Sequence, residues 1–114
     1  MRKTGKLDYL ELRAGDGTTE RVKAFYAEAF AWSFTDYGPG YAAFSEGLDG
    51  GFDASPEAAL KPLPVLYAED LDAAEAAVTR AGGTIVRPAF AFPGGRRFHF
   101  TDPAGNELAV WSET

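Results

Sequence analysis

The sequence of 114 residues contains no cysteine, one histidine and one methionine. The absence of cysteine excludes a disulfide framework, a thiolate metal site and a thiol nucleophile, and it permits a reducing compartment. No apolar run approaches the roughly 20 residues of a membrane-spanning helix, and the N-terminus lacks the apolar core of a signal peptide. We therefore expect a soluble, cytoplasmic protein with no membrane partner.

Positive charge is also scarce. The chain has 11 Lys and Arg residues against 17 Asp and Glu residues, which gives a formal net charge of −6. Because nucleic-acid binding depends on clustered cations, we expect no nucleic-acid partner. An acidic surface either attracts a cationic ligand or serves only solubility, and solubility is the simpler interpretation.

The first half of the chain has the pattern of a strand, a helix and several short strands. Residues 6–13 alternate in polarity, as a strand does. From Thr18 to Trp32 the apolar residues recur at helical spacing, and either Thr18 or Thr19 is placed to cap this helix. Residues 33–53 are aromatic segments between glycine-rich breaks, which indicates short antiparallel strands. This predicts a first βαβββ module at about residues 1–54.

The second half repeats that order after a proline-containing linker at about residues 55–62. We predict a strand at Leu63–Tyr67 and a helix that Asp70 caps and that Gly82 and Gly83 end. Further strands are predicted at 84–87, 96–101 and 106–111, with the Asp-Pro-Ala-Gly turn before the last one. The second module is then 63–114, and the chain is one α+β domain, 1–114, made by internal duplication.

Several conspicuous residues are assigned structural roles. Gly50-Gly51 and Gly82-Gly83 lack the context of a phosphate-binding loop, so we interpret them as turn and helix-cap glycines. Five aromatic residues are expected to pack in the core between helix and sheet: Phe25, Phe30, Trp32, Phe34 and Phe44.

His99 is the group best suited to exchange a proton near neutral pH. In the strand at 96–101 it shares a face with Arg97, while Phe98 and Phe100 lie on the other face. Either the imidazole lines a ligand site, or it is a core histidine bound to Glu11, Glu107 or a backbone carbonyl. Arg97 is either an anion-binding group or a solvated charge near the turn at 93–97.

Three segments resemble one family. FYAEAFAW, DLDAAEAAVTRAGG and FHFTDPAGNELAVW, in this order within a βαβββ duplication, are similar to the vicinal oxygen chelate superfamily of glyoxalase I, extradiol dioxygenases and bleomycin-resistance proteins. The resemblance covers essentially the whole chain, with Ala31 where the family usually has glycine. It implies a curled mixed sheet around a ligand cavity, and a homodimer. The residues it implies for ligand binding are Tyr9, Glu11, Tyr67, Arg97, His99, Glu107 and Trp111.

The same resemblance argues against the metal site of its metal-dependent members, which use histidines and carboxylates at four strand positions. It places these positions at Tyr9 or Glu11, within residues 43–45, at Leu63 or Pro64, and at Ala109. At most one of these side chains is a suitable ligand, whereas such a site takes three or more. We therefore expect no metal and no other cofactor. A displaced site of His99, Glu11 and Glu107 is the alternative.

Three functions follow from these observations. The first is a small-molecule-binding protein without the family's metal, its ligand unknown. The second is a metal-dependent lyase or dioxygenase of glyoxalase type that uses the displaced site. The third is a metal-free isomerase or lyase in which His99 is the catalytic residue and Arg97 or Tyr9 stabilises an enolate-like charge.

Overall fold

A computed structural model of the chain describes residues 2–15 and 17–114. Met1 and Asp16, which fall within the predicted first module, lie outside the described residues. The chain forms two compact units. The N-terminal unit is Tyr9–Leu63, and the C-terminal unit is Pro64–Thr114 together with the first residues of the chain up to Asp8. The domain and module boundaries given above stay predictions. Among the described residues, no helix is long and apolar enough to cross a membrane.

The described residues of the N-terminal unit form one helix and four strands. They are β1 (Leu7–Arg13, whose first two residues belong to the other unit), α1 (Glu20–Phe30), β2 (Thr35–Asp36), β3 (Tyr41–Ser45) and β4 (Asp49–Asp53). The strand order is β2-β3-β4-β1, with β1 and β4 parallel and the other pairs antiparallel. A strand, a helix and three strands in this order form a βαβββ module.

Aromatic side chains form the interior between α1 and its sheet. Tyr26 stacks on Trp32 at 4.7 Å between ring centroids and lies 5.3 Å from Phe52. Trp32 also contacts the buried Phe44 at 4.9 Å. The prediction that Phe25 and Phe30 pack in this core is wrong, because they are 59% and 63% exposed. Successive helical residues point about 100° apart, so Tyr26 faces the sheet while Phe25 turns away.

Gly50 and Gly51 are strand residues, so the prediction that they form a turn is wrong. Both are buried in β4. A Cβ on Gly50 would lie 2.3 Å from the backbone oxygen of Leu10 and 2.5 Å from the Phe44 ring. A Cβ on Gly51 would lie 2.2 Å from the Tyr41 hydroxyl on the other face. The two glycines are therefore required because aromatic rings lie directly on the strand, one on each side.

The C-terminal unit repeats the module. Its elements are β5 (Leu63–Tyr67, whose first residue belongs to the other unit), α2 (Leu71–Arg80), β6 (Thr84–Phe92), β7 (Gly95–Thr101) and β8 (Glu107–Ser112). The strand order is β5-β8-β7-β6, with β5 and β8 parallel and the other pairs antiparallel. Phe98, Val110, Leu71 and Ala68 form the buried core between α2 and the sheet.

Strand β6 is longer than the sequence predicted. The expected end was Arg87, but the strand continues through Pro88 to Phe92. Proline is tolerated there because β6 is an edge strand, and two register shifts interrupt its pairing with β7 on either side of Arg87.

The helix ends differ between the units. Asp70 caps α2 as predicted, with its carboxylate accepting a hydrogen bond from the Ala73 N–H at 3.0 Å. Thr19 occupies the cap position of α1 but makes no side-chain capping bond. At the other end of α1, Ala31 has a left-handed backbone with φ of 60°. The element order and pairing in both units confirm the predicted α+β class with two βαβββ modules.

Candidate functional site

The face of the C-terminal sheet opposite α2 carries five of the seven predicted ligand-binding residues. Strand pairing places two rows across this face, since directly paired residues point the same way. The first row is Tyr67, Trp111, Arg97 and Phe90, and the second is Val65, Ala109, His99 and Arg87. Glu107 also lies on this face, opposite Thr101. We call this set the His99 face.

His99 is held by a carboxylate. Its Nδ1 lies 2.9 Å from Oε2 of Glu107, one of the three hydrogen-bond partners predicted for it. The side chain is only 3% exposed, and among the described residues no group hydrogen-bonds its Nε2. An unpartnered buried polar atom is costly, so it commonly marks a place where water or a ligand completes the bonding.

The protonation state of His99 follows from its surroundings. Burial lowers the pKa of His99 below its usual 6.5, and the positive charges of Arg97 and Arg87 lower it further. The Glu107 carboxylate opposes this pKa shift by raising it. The imidazole is therefore neutral at pH 7. Because Glu107 accepts a hydrogen bond, we assign the proton to Nδ1, which leaves a lone pair on Nε2.

Two arginines and a phenylalanine lie beside this imidazole. The Phe90 and His99 ring centroids are 5.8 Å apart. The Arg87 guanidinium lies 3.8 Å from the Phe90 centroid, and that of Arg97 lies 5.6 Å from it. Sequence reasoning found Arg97 but missed Arg87 and Phe90, which share a face in spite of their odd spacing because a register shift separates them. Extending the predicted strand through Pro88 would have included Phe90, but simple alternation would have placed it on the face opposite Arg87.

Trp111 and Tyr67 continue the His99 face as an aromatic surface. Their ring centroids are 5.4 Å apart. The Trp111 indole N–H donates to Asp8 at 3.1 Å, and the Arg2 guanidinium lies 4.9 Å from the Trp111 ring. Burial and the nearby carboxylate of Glu113 raise the pKa of Tyr67 above 10, so its phenol is protonated at neutral pH. The Tyr67 hydroxyl donates to Glu113 at 3.4 Å, so both polar hydrogens are already bonded and the two residues supply aromatic surface rather than charge.

The other two predicted residues, Tyr9 and Glu11, form a polar network in the N-terminal unit. The Tyr41 hydroxyl hydrogen-bonds to the Tyr9 hydroxyl and donates to Oε2 of Glu11 at 3.4 Å. Glu11 is 6% exposed. Because Gly51 has no side chain, the Tyr41 ring crosses the strand to reach this carboxylate. Sequence reasoning missed Tyr41, since the glycine that makes room for it was interpreted as part of a turn.

The donor set does not fit the superfamily's metal site. His99 and Glu107 supply one imidazole and one carboxylate, and the residue paired with His99 on β8 is Ala109, which is fully buried and has no donor. Within residues 2–15 and 17–114, no group of three or more His, Cys, Asp or Glu side chains could hold a metal ion. A site of this class takes at least three protein ligands. The described residues therefore offer no such set.

A separate cleft of about 700 Å³ lies at the N-terminal end of α2. It is lined by residues such as Glu69, Asp72, Arg96 and Thr114, and by none of the predicted site residues. Arg96 donates to the Thr114 carbonyl at 3.0 Å and lies 3.6 Å from Asp72. Exposed contacts of this kind contribute little, and none of the predicted site residues takes part in them, so we assign this cleft no role in the site.

Comparison with known proteins identifies the fold. A family model described as a glyoxalase-like domain matches residues 16–111. No curated protein matches the sequence. Among solved structures, a glyoxalase/bleomycin resistance protein/dioxygenase superfamily member from Vibrio splendidus 12B01 has a TM-score of 0.68 at 13% identity, covering 94% of this chain and 99% of that chain.

Two other structures show how widely the fold is used. The NAD-dependent benzaldehyde dehydrogenase from Legionella pneumophila has a TM-score of 0.75 at 16% identity, covering 91% of this chain and 96% of that one. The Mn(II)-bound glyoxalase from Novosphingobium aromaticivorans has a TM-score of 0.65 at 23% identity, covering 99% of this chain and 40% of that one. Identities this low establish a common fold and no common activity.

Proposed function

The chain belongs to the glyoxalase-like domain family, and within it we propose a small-molecule-binding protein that works without the superfamily's metal and binds its ligand on the His99 face. The predicted resemblance to the vicinal oxygen chelate superfamily is confirmed by the family model and the structural neighbours. The ligand cavity that this resemblance implies is part of the proposal.

One observation carries the proposal. His99 is almost fully buried, its Nδ1 is fixed by Glu107, and its Nε2 has no hydrogen-bond partner among the described residues. A histidine with only a structural role would be expected to use both nitrogens or to expose one to water. A ligand that donates a hydrogen bond to Nε2 would complete the bonding of the imidazole.

A second function is favoured by the same geometry, namely a metal-free isomerase or lyase. A carboxylate that orients Nδ1–H leaves Nε2 as a general base, as in other histidine-carboxylate pairs. Nε2 would take a proton from a carbon next to a carbonyl, and the imidazolium would return it to the same or a neighbouring atom. Arg97 lies on the same face to stabilise the negative charge formed in between.

Binding and catalysis are tested on one set of variants. A library of small acids, amines and neutral carbonyl compounds would be screened against the wild-type protein by thermal shift and by NMR of the His99 ring. We expect hits that shift the Nε2 resonance and that lose at least tenfold in affinity in His99→Phe, which removes the buried acceptor. Glu28→Gln, on the exposed surface of α1, is the control and should bind as wild type does.

The same assay distinguishes metal-dependent from metal-free function, and binding from catalysis. Binding or turnover that survives a chelator supports the metal-free proposal, whereas a chelator that abolishes it and a divalent ion that restores it would contradict the proposal. Turnover abolished in His99→Gln with ligand still bound indicates the isomerase or lyase.

We also propose the homodimer that the resemblance implies, and sedimentation velocity would show a species of twice the 12.2 kDa chain mass.

A further inference from the structure

The acceptor nitrogen of His99 limits which group of a ligand can face it. Glu107 holds the hydrogen on Nδ1, and Nε2 is buried with no hydrogen-bond partner among the described residues. A neutral imidazole has a lone pair at this nitrogen, so only a group with a polar hydrogen can pair with it. Ionised carboxylates, ethers and carbonyl groups are acceptors alone. The group that faces Nε2 is therefore a hydroxyl, an N–H group or an ammonium ion.

An ammonium ion is disfavoured at this position by the surroundings that keep the imidazole neutral. Burial is the main cause that lowers the pKa of His99, and the charges of Arg97 and Arg87 act in the same direction. A cationic group placed against Nε2 would lose its hydration in the same way. Glu107 would attract such a group, but its Oε2 already accepts the hydrogen of Nδ1. An uncharged donor avoids the cost of burying a charge.

The charged groups on or beside the His99 face are of both signs and interact within the protein. They are Arg2, Asp8, Arg87, Arg97, Glu107 and Glu113. Asp8 accepts the Trp111 indole hydrogen and lies 3.4 Å from Arg2, while Glu113 accepts the hydrogen of the Tyr67 hydroxyl. A ligand charge of either sign would therefore compete with contacts that the protein already makes.

Aromatic rings supply the rest of this face. The Phe90 ring centroid lies 5.8 Å from that of the imidazole, and strand pairing puts Phe92 on the same side of the sheet. The Phe92 and Trp111 rings are 6.3 Å apart, and Tyr67 lies 5.4 Å from Trp111. Such rings stack favourably, face-offset or edge-on, with another ring. The part of the ligand that carries the donor is therefore expected to be aromatic.

Resting on the function proposed above, we propose that the His99 face binds an uncharged aromatic compound that donates one hydrogen bond, from a phenolic O–H or a ring N–H, to Nε2 of His99. The rings of the face bind the ring of the compound. The imidazole selects for the polar hydrogen, so His99 determines specificity.

The test uses pairs of probes that differ in the polar hydrogen. Phenol is set against toluene, and indole against 1-methylindole, in NMR titrations of the wild-type protein. At least one donor should bind about tenfold tighter than its partner, because the partner leaves the buried acceptor unpaired. The same donor should shift the ¹⁵N resonance of Nε2 more than its partner does. The pair that shows this difference identifies the donor as O–H or N–H, and no variant has to fold.

Charged probes and one variant complete the test. Benzoate and benzylammonium should bind more weakly than the preferred donor. His99→Phe should abolish the preference for the donor over its partner. Tyr37→Phe, which also replaces a polar ring with phenylalanine but at a residue that is 67% exposed, should keep that preference. A preference that survives in His99→Phe would show that Nε2 is not the acceptor.

Other contrary results fall on different claims. If benzoate or benzylammonium binds most tightly and shifts the Nε2 resonance, the proposed function stands and the uncharged class is wrong. If both members of each pair bind equally while another compound of the library shifts Nε2, the function stands and the aromatic donor is wrong. If no compound shifts that resonance, the proposed function itself fails.

Discussion

The two units have the same order of elements but different chemistry on the sheet face that their helices leave uncovered. In the C-terminal unit this face carries a neutral imidazole, a carboxylate and two guanidiniums around the Phe90 ring. In the N-terminal unit it carries a carboxylate and two tyrosine hydroxyls, joined across a strand glycine. The βαβββ framework therefore fixes which positions face this side, and the individual side chains there decide what each unit can do.

The helices differ between the units as well. Helix α2 has a capped N-terminus and buries Leu71 in the core. Helix α1 has no buried residue and no capping bond from Thr19, although the Thr18 hydroxyl accepts from the Glu20 N–H at 3.3 Å, and a left-handed alanine follows the helix. Its attachment depends on aromatic contacts made by Tyr26 and by Trp32, just beyond the helix end. We infer that α1 is held mainly by the packing of aromatic rings, whereas α2 is also stabilised by the Asp70 cap at its N-terminus.

The largest loss of stability is expected for a substitution at Gly50, where an aromatic ring packs directly on the glycine backbone. Gly50→Ala would place a Cβ 2.3 Å from the Leu10 carbonyl oxygen, which is main chain and cannot turn aside. We expect a loss of about 3 kcal/mol or more in the free energy of unfolding, measured by urea denaturation. Gly40→Ala is the control, because nothing lies within 4 Å of its Cβ and its φ is not positive. Equal stability of the two variants would contradict the description of β4.

The helix caps give the next comparison. Asp70→Ala removes the bond to the Ala73 N–H and should cost about 1 kcal/mol, or a fall of roughly 4 °C in Tm. Thr19→Val keeps the side-chain shape and removes a hydroxyl that has no partner among the described residues, so it should be neutral or slightly stabilising. A loss of 1 kcal/mol in both variants would show that α1 is capped after all.

Smaller changes in stability, of opposite sign in the two units, are expected from glycine substitutions at the helix C-termini. Ala31 has φ of 60°, which an L-residue adopts at a cost, so Ala31→Gly should stabilise the protein by about 0.5 to 1 kcal/mol. Ala81 at the end of α2 has φ of −84°, because Gly82 takes the left-handed position there. Ala81→Gly should therefore destabilise by a similar amount. Thermal melts of the two variants that shift in the same direction would contradict this comparison.

The pH dependence of stability gives the smallest effect. The pKa of His99 is lowered on folding, so below about pH 6.5 the unfolded chain binds a proton that the folded chain does not. Stability from this group is fully present above pH 6.5 and is lost as the pH falls from that value towards the lower pKa of the folded state. The difference in Tm between pH 7.5 and 5.5 should be smaller in His99→Gln than in wild type. An unchanged or larger difference would show that burial does not disfavour the imidazolium.

Local sequence patterns predicted the elements well where one cause dominates. The strand Leu63–Tyr67 and the Asp70 cap of α2 are both observed as predicted. Gly50 and Gly51 were misjudged, because whether a glycine pair forms a turn or a strand depends on rings contributed by other strands.

For the candidate site, the sequence predicted the facing of residues on one strand but not contacts that depend on several strands. The facing of Arg97 and His99 follows from alternation within a single strand, and their pairing with Trp111 and Ala109 agrees with it. Arg87 and Tyr41 could not be placed by alternation alone. The facing of Arg87 relative to Phe90 depends on a register shift in β6. Tyr41 reaches Glu11 only because the strand between them has Gly51 at that position.

The protonation state of the single imidazole decides whether His99 can accept a hydrogen bond from a ligand. Long-range ¹H–¹⁵N NMR measures it without resonance assignment, because the chain has one histidine. At pH 7 we expect a neutral ring with the proton on Nδ1 and an unprotonated Nε2. A titration of the same signals should give a pKa below 6.5 that falls further in Glu107→Gln. A doubly protonated ring at pH 7, or a proton on Nε2 with Nδ1 bare, would contradict the central claim that His99 offers a free acceptor to a ligand.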